Sequence, residues 1–238
     1  MILHYAPGSA HSASLRIVLA EKGIAADARR LDLTAFEQHS ADYLARDPSG
    51  MVPLLEYDGT PMGGTFPLML FIDELHPENP LAGSDARARY LVHKWGKYVE
   101  THIAPQLAIV RWQALRGKVP EGAGEGIARL PRARRALWQR AARGFDDETI
   151  AAATKAMSIV GERLAGDLAE RDYLAEDRPT LADFAVYPHL AQFAALGLET
   201  PAAVAAWIER IAARPSAKGI SSDTYPLATM GPEAGRWG

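Results

Sequence analysis

Asp47-Pro48-Ser49-Gly50-Met51-Val52-Pro53-Leu54-Leu55-Glu56-Tyr57-Asp58-Gly59, with Gly63-Gly64-Thr65 close behind, is the stretch that decides how this chain folds. Asp-Pro-Ser-Gly is a turn signal that closes one periodic segment. A short apolar run carrying Val-Pro follows, then the hairpin signal Asp58-Gly59, then a hydroxyl residue that opens a helical pattern. Proline has no N–H and is excluded from the middle of a sheet, so Val52-Pro53 belongs where a strand begins. A cis bond there would turn the backbone of Val52 outward, leaving its N–H and C=O free to pair with a peptide-like ligand. Taken alone, the same residues also fit an ordinary turn before an edge strand. The flanking segments decide between the two.

Upstream, Ile2-Leu3-His4-Tyr5 reads as a short strand ended by Pro7-Gly8. Leu15, Val18 and Leu19 then recur at helical spacing up to Gly23. A second strand over Ala28 to Leu33 leads to a helix after Thr34, with Phe36, Tyr43 and Leu44 as its apolar face. Downstream, Leu68, Phe71, Ile72 and Leu75 give a further helix, ended by His76-Pro77. The order is βαβ, then ββα, the arrangement of a thioredoxin-like four-stranded mixed sheet. The expected fold is therefore such an α/β domain over residues 1–78, followed by an all-helical domain over 85–215 and an irregular, Gly/Pro-rich tail over 216–238.

Pro77 to Ser84 carries two prolines, a glycine and a capping serine, and reads as a linker. Beyond it every periodic segment is helical. Leu91, Trp95, Tyr98, Val99 and His102 mark one face of a long helix that continues past Trp112. Pro120 to Gly126 reads as loop, and its glycines follow no strand, so no dinucleotide site is implied. Arg129 to Arg143 holds six arginines around Leu130, Leu137 and Trp138. So dense a basic run could face nucleic acid, but the acidic overall balance and the lack of a nucleic-acid motif favour a solvated helix. Met157, Val160, Leu164 and Leu168 make the next helix. Thr180 with Asp183 three residues on forms a capping box, Asp standing in for Glu. Val204, Trp207, Ile208 and Ile211 form the last amphipathic helix, ended by Arg214-Pro215.

At 238 residues the chain can bury a large core, and 48% hydrophobic with 23% charged residues is a globular composition. No apolar run approaches the roughly 20 residues of a membrane span. Met1 to Tyr5 lacks the pattern of a signal peptide, which makes the cytoplasm the default expectation. A net charge of -3 argues against polyanion binding by the surface as a whole. With no cysteine there is no disulfide, no zinc-thiolate site and no protein thiol nucleophile. No metal site is expected.

Between the first strand and helix lies Pro7-Gly8-Ser9-Ala10-His11-Ser12. A hydroxyl at a helix start is most simply a cap. The same position also stabilises an anion, and a thiolate is an anion. Together with Val52-Pro53 and the Tyr173–Phe184 capping box, this segment resembles the glutathione transferase superfamily. The likeness covers residues 1–215. Leu130-Pro131 through Trp138-Gln139-Arg140 to Gly144-Phe145, and Phe36-Glu37-Gln38-His39-Ser40, are similar to the bacterial lignin β-etherase branch.

The resemblance implies glutathione as cosubstrate, held on Val52 and Pro53, with Gln38 and His39 near its glycine end. It implies that a serine hydroxyl, of Ser9 or of Ser12, donates a hydrogen bond to the sulfur. The family carries an acid or amide followed by Ser where this chain has Gly64-Thr65. Thr65 keeps the hydroxyl and the helix-start N–H groups for the γ-glutamyl carboxylate, but Gly64 has nothing to meet the ammonium group. The implied reaction is attack of glutathione thiolate on a hydrophobic, aromatic electrophile, with the β-aryl ether of a lignin-derived ketone as the specific case. The alternative is a non-catalytic binding protein or the inactive subunit of a heterodimer. A thiol-disulfide reductase comes third, for want of a cysteine. The family also implies a homodimer, or a heterodimer, paired through Leu68–His76 and Arg87–His102.

Overall fold

The structure is a computed structural model that describes residues 1–33, 35–114, 123–130 and 132–221. Strands β1 (Ile2–Tyr5), β2 (Asp27–Arg30), β3 (Leu54–Tyr57) and β4 (Thr60–Met62) form one sheet in the order β2-β1-β3-β4. Helix α1 (Ala10–Glu21) joins β1 to the parallel β2, and β3 runs antiparallel to both β1 and β4. The β3–β4 hairpin turns on Asp58 and Gly59, both at positive φ, as the two-residue turn matching strand twist requires. Pro61 lies in the edge strand β4, where a missing N–H costs no ladder bond. Leu54 and Leu55 alternate across the sheet. Leu55 packs with Leu3, Leu15 and α3 (Thr65–Leu75), whereas Leu54 packs with Tyr43 of α2 (Ala41–Arg46) on the other face.

The segment expected to be one helix after Thr34 is different. Thr34 itself lies outside the described residues. Phe36 adopts a left-handed conformation (φ 59°), a 3-10 turn covers Glu37–His39, and α2 starts only at Ala41, capped by Ser40. Phe36 and Tyr43 therefore share no helix face. The Phe36 ring lies 4.9 Å from that of Trp138, in a second cluster formed by the arginine-rich insertion.

The helical half begins with α4 (Ala86–Tyr98), continues through a π-helical turn at Val99–Ile103 and ends in α5 (Ala104–Ala114). The extra residue of the π turn shifts the buried face, so Ile103 is buried and His102 is not. Helix α6 (Ala123–Arg129) begins inside the stretch read as loop, whose first part lies outside the described residues. Helix α7 (Arg132–Arg143) buries Trp138 and exposes Arg132, Arg135, Arg140 and Arg143, a solvated basic face. Then come α8 (Asp147–Asp167), α9 (Leu181–Leu190), α10 (Ala202–Ala212) and α11 (Pro215–Ser221). Helix α11 corrects the expectation of an irregular tail from residue 216: Ala217 and Ile220 are buried. Residues 222–238 lie outside the described ones.

The capping box at α9 is present and does more than cap. Asp183 accepts from Thr180 N–H and Oγ1, from Leu174 N–H and from the Trp207 indole, so one buried carboxylate joins three segments. The linker is equally tied down. Lys22, at the end of α1, forms a buried ion pair with Asp73 of α3 and donates to the carbonyls of His76 and Asn79, each at 2.8 Å. Asp73 in turn accepts from Leu81 and Ala82 N–H at 2.8 and 2.9 Å. Removing one partner of such a pair leaves an uncompensated buried charge, so Asp73→Ala should cost about 3–5 kcal/mol in urea unfolding. A loss below about 1 kcal/mol, the range of exposed pairs, would show that the linker does not depend on it.

Candidate functional site

The cis-proline loop is built by Asp47. Its carboxylate accepts from Ser49 N–H (2.9 Å), Ser49 Oγ (2.6 Å) and Met51 N–H (3.2 Å), while the Tyr43 hydroxyl donates to Met51 O. The Val52-Pro53 bond is cis. The β1–β3 ladder ends at the pair His4–Leu54, so the peptide groups of Val52 lie outside it. Ser49, Met51, Val52 and Pro53 form one wall of a cleft of about 100 Å³. Gly64 and Thr65, at the start of α3, form the second wall. His11 from the first turn of α1 and Glu100 from the π turn complete it.

Two helix starts therefore face one cleft. At α3, Pro67 brings no N–H, which leaves the first-turn donors to Thr65 and Phe66. At α1, Ser9 is the cap and its Oγ accepts from Ser12 N–H at 3.2 Å. Ser12 is 1% exposed and its Oγ accepts from Ala6 N–H at 3.3 Å. Neither serine lines the cleft; His11, between them, does. Gly64 has φ 87°, a conformation that costs a non-glycine residue on the order of 1–3 kcal/mol. Its absent side chain thus has a backbone reason.

Gln38 and His39 do not line the cleft. Gln38 is buried, and its Oε1 has no hydrogen-bond partner among the described residues. The His39 ring stands edge-on to Trp138 at 6.4 Å, so this turn packs against the insertion.

Sequence reading passed over a buried cluster behind His11. The His11 ring stacks edge-on against His189 at 4.9 Å, and Arg111, 4% exposed, donates to Gln192 Oε1. Gln192 Nε2 donates to Pro188 O, and His189 Nδ1 lies 3.1 Å from Ala185 O. His11 keeps an edge on the cleft, yet burial and then the Arg111 charge push its pKa down to about 4. Burial, His11 and Arg111 likewise hold His189 well below the usual range. Both rings are neutral at pH 7, leaving Arg111 as the cation of the cluster. Glu100 lines the same cleft, and burial raises its pKa against the pull of Lys97. The spacing of these groups, spread over α1, the π turn, α5 and α9, carries no local sequence signal.

The cleft thus offers positive helix ends, a free peptide edge and one carboxylate, which suits a zwitterionic peptide. Comparison with known proteins is consistent with that chemistry. The family model for the glutathione S-transferase N-terminal domain matches residues 3–80, and that for the C-terminal domain matches residues 137–215. The chain belongs to the glutathione S-transferase superfamily. Protein LigF of Sphingobium sp. (strain NBRC 103272 / SYK-6) is 28% identical over 237 residues, 90% of each chain. The crystal structure of the β-etherase LigF superposes with a TM-score of 0.82 at 25% identity, covering 93% of this chain and 98% of that one. Glutathione S-transferase 2 of Saccharomyces cerevisiae is 28% identical over 92% of this chain and 88% of its own. A sphingomonad glutathione S-transferase complexed with glutathione superposes with a TM-score of 0.70 at 25% identity, over 93% of this chain and 98% of that one. Among the described residues no helix is long and apolar enough to cross a membrane, and no group of three or more His, Asp and Glu could hold a metal ion.

The neutral histidines of this glutathione S-transferase set a pH signature. Their folded pKa values lie below the unfolded value of 6.5, so the unfolded chain binds protons that the fold refuses. Stability should fall as pH drops below 6.5, with the His11 contribution levelling off near pH 4. Each histidine adds at most about 1.4 kcal/mol per pH unit. Urea unfolding at pH 7 and pH 5 should show a shallower loss for His11→Gln than for the wild type. Equal losses would mean that the ring is not desolvated.

Proposed function

We propose that the protein binds glutathione in this cleft and directs its thiolate at an electrophilic carbon. The observation that carries the reading is the meeting of the cis-Val52-Pro53 loop, the start of α3 and the start of α1 at one cleft. In this assignment the Val52 peptide pairs with the cysteinyl backbone. The Thr65 hydroxyl and the N–H groups of Thr65 and Phe66 hold the γ-glutamyl carboxylate. Gln38 and His39 lie toward the glycine end. The sulfur comes to the start of α1, where the helix end and a serine hydroxyl favour its ionised form. Ser9, partly exposed, is the better placed donor; Ser12 is its buried neighbour.

The similarity to LigF, described as a β-etherase, supports an aryl ether next to a ketone as the electrophile. The thiolate forms a C–S bond as the C–O bond breaks, and phenoxide leaves and takes a proton from solvent. The adjacent carbonyl eases the displacement. Incubation with glutathione and a β-aryl ether ketone should release the phenol together with the thioether of glutathione. Glutathione binding without turnover of any electrophile would favour the second reading, a non-catalytic relative, which the missing carboxylate at Gly64 supports.

The role assigned to the hydroxyl is donation to a thiolate, worth about 1.5–3 kcal/mol. Ser9→Ala should therefore slow turnover by roughly ten- to a hundredfold and raise the pH at which bound glutathione ionises, followed as thiolate absorbance in the ultraviolet. Ser12→Ala should leave that ionisation in place. The reverse pattern would transfer the role to Ser12, and wild-type behaviour in both would leave sulfur activation to the helix-start N–H groups. We also infer a dimer through α3 and α4; a sedimentation mass near the single-chain 25.8 kDa across micromolar concentrations would contradict it.

A further inference from the structure

Of the side chains at the start of α1, His11 is the one that lines the cleft. It also lines a smaller void of about 10 Å³, whose walls include Phe66 and Met69 of α3, Val99 of the π turn and Ala185 of α9. The imidazole therefore stands where the cleft meets an apolar space between the domains. Its ring contact is with His189, edge-on at 4.9 Å. Among the described residues no hydrogen bond occupies either ring nitrogen of His11. Behind it, His189 Nδ1 lies 3.1 Å from Ala185 O, and the buried His189 Nε2 has no hydrogen-bond partner among the described residues. No chain of hydrogen bonds thus leads inward from His11 to carry a proton away. Burial and the Arg111 charge keep the ring neutral, and a neutral imidazole presents one N–H donor.

We propose that this N–H donates a hydrogen bond to the carbonyl oxygen of the electrophile while the sulfur attacks the neighbouring carbon. This rests on the glutathione reading above and adds to it a residue that touches the second substrate. The reacting carbon must come within bonding reach of a sulfur held at the start of α1. The carbonyl, one bond further on, then lies at the border that His11 occupies. As the C–S bond forms, the bond to the leaving group breaks and the leaving group departs with that electron pair. Charge gathers meanwhile on the carbonyl oxygen, where a donor already in place lowers the barrier. The proton stays on nitrogen throughout. Neutrality matters here: an imidazolium beside the sulfur would pair with the thiolate and make it a poorer nucleophile. Burial next to Arg111 removes that competitor, and the edge-on contact makes His189 a positioning residue for the His11 ring.

Two electrophiles with the same leaving group test the assignment: phenacyl chloride, with a carbonyl next to the reacting carbon, and benzyl chloride, without one. With glutathione saturating and the uncatalysed rate subtracted, kcat/KM is measured for both, and the readout is the phenacyl-to-benzyl ratio. That ratio should fall about tenfold in His11→Phe and in His11→Leu, neither of which can donate. His11→Gln keeps a side-chain N–H and should retain most of the wild-type ratio. General loosening of the fold slows both reactions and does not move the ratio. An unchanged ratio in the two donor-free variants would overturn the assignment. Equal losses for both chlorides, with bound glutathione ionising at a higher pH, would give the N–H to the sulfur and overturn it as well. A wild type that conjugates neither chloride would instead remove the glutathione reading itself, and this assignment with it.

Discussion

The placement of helix α1 is the constraint on which the rest depends. Along its length Leu15, Ile17 and Val18 are buried, and the helix packs against α3 of its own domain and α9 of the other. The hydroxyl of Ser14 donates to Ala10 O in its own helix and reaches Ala185 O of α9 at 3.4 Å, a separation that small side chains at this contact permit. At its C-terminal end Lys22 enters the buried pair with Asp73, and Glu21 accepts a two-pronged contact from Arg214 at 2.7 and 2.8 Å. One helix is thereby bonded to α3, the linker, α9 and the turn before α11. Its N-terminus cannot shift relative to the cis-proline loop without breaking several of these contacts. Fixed dipoles aimed at a charge need no reorganisation when that charge forms.

The charges around the cleft follow from the same geometry. Arg111 is buried next to two histidines, and burial together with that cation keeps both imidazoles neutral. The positive character of the α1 side therefore comes from the helix end and from Arg111, not from protonated histidine. Glu100 lines the same cleft as His11.

Much of the architecture was legible in local sequence. The Val52-Pro53 run, the Asp58-Gly59 turn and the Thr180–Asp183 box each carry their chemistry within a few residues, and each stands where the pattern places it. Phe36 was misread because a one-face periodicity cannot register a left-handed residue that swings its ring to a helix a hundred positions away. His102 was misread because the π turn inserts a residue that 3.6-residue counting does not contain. The start of α6 hid behind glycines that ordinarily signal loop, and α11 behind Arg214-Pro215, where proline opens a helix as readily as it ends one. In the cleft, Val52, Pro53, Gly64 and Thr65 were recognisable from motif. His11, Glu100 and Arg111 were not, since only tertiary packing brings α1, the π turn and α5 together.

A crystal structure of the protein grown with glutathione tests the central claim most directly. The account predicts the tripeptide in the cleft, its cysteinyl backbone paired with Val52 and its sulfur at the start of α1. The γ-glutamyl carboxylate should lie on the first turn of α3. Glutathione bound elsewhere, or lying in the cleft with its sulfur away from α1, would contradict it.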